Sequence, residues 1–94
     1  MKLLSIKPSY RATKKLMATF SIDDATKVIH FGLLGSETFL DHKNELKKIN
    51  YLKRHAVRED WSNPLTPGSL SRWILWNKPT YEASLADFKK RFGV

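Results

Sequence analysis

Thr66-Pro67-Gly68-Ser69-Leu70-Ser71-Arg72-Trp73-Ile74-Leu75-Trp76-Asn77 is the stretch that decides the fold. Thr66 followed by Pro67 is a helix start. The hydroxyl can cap a free backbone N–H, and proline at the first helical position gives up no hydrogen bond there. Leu70, Trp73, Ile74 and Asn77 fall at i, i+3, i+4 and i+7, the spacing of one helix face. Leu75 and Trp76 lie off that stripe, so the helix over 67–77 is apolar nearly all round and has to be buried on most sides. Fully burying one such side chain is worth roughly 1.5–3 kcal/mol. This helix is expected to be the hub on which the other elements pack.

Working outward towards the C-terminus, Lys78-Pro79 ends the hub helix, because the residue before proline avoids helical angles. Thr80 caps a last helix over 80–92, in which Tyr81, Leu85, Phe88 and Phe92 recur at i, i+4, i+7 and i+11. Gly93 stops it. On the N-terminal side, Asp41 is read as the cap of a helix over 41–57. Its apolar stripe is Leu46, Ile49, Leu52 and Ala56. Further back, Lys27 to Phe31 and Leu16 to Ile22 are rich in apolar, β-branched and aromatic residues. They flank Asp23-Asp24-Ala25-Thr26, which has turn chemistry, and so form a hairpin. Leu3 to Ile6, closed by Lys7-Pro8, reads as a further edge strand. The order predicts an α+β domain: a small antiparallel sheet of two to three strands (about 3–6, 16–22 and 27–31) followed by three helices (about 41–57, 67–77 and 80–92). No repeat or long linker divides the 94 residues, which suit a single domain over 1–94.

The chain has no cysteine, which excludes disulfides and thiolate chemistry. No apolar run approaches the ~20 residues needed to span a bilayer, and Met1 to Ile6 is too short for a signal peptide, so no membrane association is expected. Seventeen Lys and Arg oppose nine Asp and Glu, a net of +8. That balance attracts polyanions. The basic residues fall in three clusters. Lys43, Lys47, Arg54 and Arg58 are spaced four, seven and four apart, as a stripe on the helix over 41–57. Lys14 and Lys15, with Lys7 and Arg11, precede the second strand. Lys89 and Lys90, with Arg91, end the chain. Lys43, Lys47, Arg54 and Arg58 are the expected phosphate contacts, with Lys14, Lys15, Lys89 and Lys90 as helpers; the blander alternative is a set of solvated surface charges.

Catalytic signatures are absent. There is no phosphate-binding glycine loop and no His-Glu-x-x-His. His55 and Glu59 stand four apart, but a histidine near a helix C-terminus is favourable there for the dipole alone. Nothing in the spacing of Asp41, His42, His55 and Glu59 demands a metal. The chain is therefore read as a non-enzyme with no catalytic residues, metal or cofactor, and an enzyme built on His42, His55 and Glu59 stands third among the readings. His30 reads as a packed sheet residue. Trp73, Trp76, Phe88 and Phe92 read as core, and Tyr10, Tyr51 and Trp61 as the aromatics left at the surface. Arg72 is expected to stack on Trp76 or pair with Asp60, ahead of the alternative that it reaches a ligand.

Ile29-His30-Phe31-Gly32, His42, Tyr51-Leu52-x-Arg54-His55, Glu59-x-Trp61, Ser69-x-Ser71-Arg72-Trp73-Ile74-Leu75-Trp76-Asn77-Lys78-Pro79-Thr80 and Lys89-Lys90-x-Phe92 together form a longer pattern. It resembles a group of small basic proteins of unknown function encoded by large DNA viruses of protists and algae (nucleocytoplasmic large DNA viruses). The resemblance covers about two-thirds of the chain and leaves out the first thirteen residues. It implies a viral protein of the virion or of the host cytoplasm (viral factory), and it implies no activity. Joined to the charge, it yields the expectation of sequence-nonspecific binding to nucleic acid, namely double-stranded DNA, in genome compaction. The alternative is a structural interaction module, such as a minor capsid component or an adaptor for an acidic protein surface, with viral structural proteins as partners. An exposed edge strand also invites pairing into a homodimer.

Overall fold

Alternation along the strands sets the first layer. The computed structural model describes all 94 residues, Met1–Val94. Strands β1 (Lys2–Pro8), β2 (Lys14–Ile22) and β3 (Ala25–Leu33) form an antiparallel sheet in the order β1-β2-β3. Leu3 pairs with Phe20, Ile6 with Ala18, Ala18 with Ile29 and Leu16 with Phe31, so these apolar side chains share one face of the pleat. A bulge between Leu3 and Ser5 takes up the register shift in β1. Each strand is longer than the sequence predicts. Ser21–Thr26 and Ile22–Ala25 still pair, so the hairpin turn is the two residues Asp23-Asp24. Asp23 takes a left-handed φ of 54°, a conformation aspartate tolerates.

The second layer covers that apolar face. Helix α3 (Pro67–Leu70) starts as its sequence dictates, with Thr66 Oγ1 accepting from Ser69 N–H at 3.1 Å and Pro67 in the first turn. It runs into a π-helical turn, Ser71–Leu75, in which Trp76 N–H reaches back five residues to Ser71 C=O at 3.0 Å. Leu70, Ile74 and Leu75 are buried against Ala18, Phe20, Ile29 and Phe31. Helix α4 (Tyr81–Phe92) is capped by Thr80, whose hydroxyl accepts from Ala83 N–H. It drives Phe88 into the same core, 6.4 Å from Phe20 between ring centroids. Tyr81, Leu85 and Phe92 line its flanks. The expected hub and the expected last helix are both present, and the fold is α+β, a three-stranded antiparallel sheet followed by helices.

The segment expected as one helix over 41–57 is two. Helix α1 (Phe39–His42) opens with a capping box: the Asp41 carboxylate accepts from Thr38 N–H at 2.7 Å and from the Thr38 hydroxyl at 3.1 Å. Lys43 then turns left-handed at φ 52°. Asn44 caps α2 (Glu45–Ala56), accepting from Lys47 N–H at 3.1 Å. The cap of the long helix is therefore Asn44, and Asp41 serves the short helix before it.

The stripe expected to face the core also faces elsewhere. No residue of α2 is buried, and Leu46 and Ile49 are 66% and 45% exposed. The side of α2 that meets the body carries Lys48 and Tyr51. Tyr51 lies flat on Trp76, with centroids 4.1 Å apart and planes 4° apart. The Lys48 ammonium donates to Asn77 C=O at 2.6 Å and sits 4.7 Å from the centre of the Phe39 ring. An aromatic stack and a charge-assisted hydrogen bond thus outweigh the aliphatic stripe in orienting the helix.

Candidate nucleic-acid interface

Turning the aliphatic stripe of α2 outward leaves a groove between its opposite flank and the segment from Gly32 to His42. The groove has two lobes that share Glu37, Arg54 and Trp76. The smaller, of about 260 Å³, is completed by His42, Lys47 and Asn50. Lys47 and Arg54 stand seven residues apart, two turns along one helix face. The His42 ring accepts from Asn44 N–H through Nδ1 at 3.0 Å, which leaves its proton on Nε2 as a donor. The larger lobe, of about 390 Å³, has Gly32, Leu75 and Tyr51 among its walls and Ser36, Thr38 and Ser71 among its hydroxyls.

Several of these side chains are held in place by their neighbours. His55 stacks on Tyr51 at 4.1 Å, Tyr51 on Trp76, and His42 leans on Trp76 at 5.4 Å. Both faces of the Tyr51 ring are therefore taken by other rings, which leaves only its edge for a ligand. Burial pushes the Tyr51 phenol above its ordinary pKa, helped by the Glu59 carboxylate; Arg72, Arg54 and the Ser71 hydroxyl pull the other way. Gly32 has a left-handed φ of +78°, and a Cβ there would lie 2.9 Å from Leu75 Cδ1. Glycine is what lets the hub helix approach β3 this closely.

The structure brings together only part of the basic set read from the sequence. Lys47 and Arg54 share the small lobe. Lys15 reaches the rim of the large one, its Nζ donating to Ser36 C=O at 2.7 Å. Lys43 leaves the expected stripe: it lies in the break between α1 and α2 and donates to Leu40 C=O. Arg58 follows the end of α2. Lys14 does not line the groove; its charge acts, with that of Arg11, on His30. Lys89 borders a cleft with Leu3, Leu4 and Leu85 at the β1 edge, the opposite side of the sheet from the groove. Lys90 is exposed on the same helix. Glu37 and Asn50 are groove residues that sequence reading did not single out. Asn50 stands three residues after Lys47 and four before Arg54, a spacing that could have flagged it.

The other candidates resolve structurally. His30 is buried. The Ser9 hydroxyl accepts from Arg11 N–H and shares a hydrogen bond with His30 Nδ1 at 2.7 Å, and Tyr10 packs edge-on against the ring. Burial, then Arg11 and Lys14, hold its pKa below the ordinary value. Arg72 neither stacks on Trp76 nor pairs with Asp60. It lies over Trp73 and Trp61 and donates to Trp76 C=O at 2.8 Å. Arg91 covers Trp73 at 3.8 Å. Trp61 and Tyr51, expected at the surface, are half-buried by these contacts, whereas Tyr10 is 76% exposed. No three of Asp41, His42, His55 and Glu59, nor any other three His, Asp or Glu side chains, are grouped to hold a metal ion. No helix is long and apolar enough to cross a membrane.

Fold and groove together define a small basic α+β domain with a cation-rimmed cleft beside its sheet. The chain belongs to DUF5754, a family of unknown function, whose model matches residues 4–55, just over half of the 94. The match takes in the sheet, α1 and most of α2, and ends before the tryptophan helix. No curated protein and no solved structure matches the chain.

Proposed function

We propose that the protein binds nucleic acid, double-stranded DNA in the first instance, by neutralising backbone phosphates without reading sequence. One observation carries the reading: of seventeen Lys and Arg, Arg91 alone has a carboxylate within ion-pair distance, Asp87 at 3.4 Å. No other cation forms an ion pair, and Lys47 and Arg54 line one groove, which they share with Glu37 and at whose rim Lys15 stands. Lys43 and Arg58 flank α2 in sequence but do not line the groove. Lys14, Lys89 and Lys90 lie outside the groove and contribute to the general field. A setting in a virion or viral factory belongs to the same proposal, since a packed DNA genome requires its phosphate charge to be neutralised and needs no base contacts for it.

The test is retention of unrelated duplexes across a salt series. Each phosphate neutralised contributes about −0.9 to the slope of log affinity against log salt. A steep slope, reduced by about two in a Lys47→Ala/Arg54→Ala variant, is the expected result. A flat response, or no retention at low salt, removes the proposal.

A second reading is favoured by a different observation. Leu46, Ile49 and Val57, the last 84% exposed, stand on the outer side of α2. An adaptor for a viral structural protein or another acidic surface would use them. Leu46→Glu/Ile49→Glu would then abolish that partner's binding and leave DNA retention unchanged.

A further inference from the structure

The two lobes of the groove differ in chemistry, and the difference has the order of a nucleotide. The small lobe presents donors: the Lys47 ammonium, the Arg54 guanidinium, the Asn50 amide and the His42 ring N–H. The large lobe, entered past Arg54 and Trp76, is walled by Gly32, Leu75 and the edge of the aromatic ladder, with hydroxyls at its margin. Glu37, which lines both, supplies an acceptor at the junction. An inorganic anion would use only the first lobe, and an apolar ligand only the second.

We propose that this groove holds one nucleoside monophosphate unit, its phosphate on Lys47, Asn50 and Arg54, a sugar hydroxyl on Glu37, and its base in the lobe over Gly32 and Leu75. The proposal rests on the nucleic-acid reading and deepens it, because the unit can be a free nucleotide or the unpaired end of a strand. Tyr51 and Trp76 already stack on each other, so the base meets their edges and is held by shape and hydroxyl contacts.

The experiment uses the full chain and three probes: AMP, ribose 5-phosphate and inorganic phosphate. Affinity and amide chemical shifts are followed by NMR titration. AMP is expected to shift Gly32, Ser36 and the Trp76 indole N–H, and to bind at least about tenfold tighter than inorganic phosphate, as a desolvated base contact requires. Arg54→Ala is expected to weaken AMP about tenfold, since it removes charge-assisted hydrogen bonds. Lys90→Ala makes the same change in net charge away from the groove, and its effect stays within about twofold.

Equal affinity for AMP and inorganic phosphate, or equal effects of the two substitutions, overturns the proposal. If duplexes are retained with a steep salt slope while AMP leaves the groove unshifted, this inference falls and phosphate-backbone binding stands. If neither binds, both fall. The two sources of the unit separate on a duplex with a 5′-phosphorylated single-stranded overhang. Tighter binding than to a blunt duplex of equal charge assigns the groove to strand ends, and AMP binding without that preference assigns it to free nucleotide.

Discussion

Replacing Tyr51 by alanine should release α2 while leaving the sheet intact. The helix has twelve residues and none of them is buried. An isolated helix that short is marginal in water, so its order depends on docking. The main anchor is the Tyr51 ring on Trp76, 4.1 Å apart and nearly parallel. Half-burying a tyrosine removes roughly 100 Å² from water, which at about 25 cal/mol per Å² is worth ~2.5 kcal/mol. The stacked geometry adds about 1 kcal/mol. Loss of about 3.5 kcal/mol raises the local opening equilibrium on the order of 300-fold. Native-state hydrogen exchange reads this residue by residue. The amides of α2 should lose protection by about that factor, or down to the unprotected limit. Those of Ala18 and Phe20 in β2 should stay near wild type, because that strand packs on the hub and α4. Tyr51→Phe keeps the ring and should restore α2. An equal loss across α2 and β2, or undiminished protection in α2, would refute the claim that this stack docks the helix.

Three further outcomes follow from the packing. Gly32→Ala combines a φ of +78° with a Cβ 2.9 Å from Leu75 Cδ1, so the urea midpoint should fall by the equivalent of about 1–3 kcal/mol. Asn77→Ala removes an amide that donates to Trp73 C=O at 3.1 Å and to the Asp87 carboxylate at 2.7 Å. A loss of about 2 kcal/mol is expected in the same assay. Stability should also fall with acid in two stages. His30 has a folded pKa below its ordinary 6.5, so below that value the unfolded chain binds more protons and stability declines as pH drops. His30→Gln should remove that stage. For Asp87, burial pushes the carboxyl up, but hydrogen bonds from Asn77 and Arg91 outweigh it. For Asp41 the bonds from Thr38 dominate. Both carboxyls stay below 3.8, and their contribution, complete above that value, is lost as pH falls through the folded values. Urea midpoints from pH 8 to pH 2 measure both stages.

What the chain discloses about its fold depends on how local the signal is. Thr66-Pro67 and Thr80 act within one turn, and both caps appear where the residues stand. The stripe of Tyr81, Leu85, Phe88 and Phe92 has no competing face, and it packs as read. The segment over 41–57 offered two faces, one aliphatic and one made of Lys48, Tyr51 and His55. Periodicity alone favours the aliphatic one. The choice is made by Trp76 and the Asn77 carbonyl, some twenty-five residues further on, which no window around α2 contains. The break at Lys43 was masked by Asp41, an equally good cap on paper, although Asn44 offers the same chemistry three residues later. For the groove, charge identified Lys47 and Arg54. Glu37 enters through the turn after β3, and its place opposite Arg54 depends on tertiary packing.

The widened turn at Ser71–Leu75 holds one residue more than an α-helix would place there, and it sets the bearing of what comes after. Each residue of an α-helix advances the azimuth by about 100°. Deleting one position from that turn would let it relax to ordinary winding, with four steps of about 100° in place of five narrower ones, and so leave Trp76 close to its present bearing on Tyr51. Trp73, lodged between two guanidiniums, would keep its seat. A chain shortened by a single residue at this point would therefore keep both its sheet and its groove, whereas the same deletion inside α4 would turn every later side chain off its face.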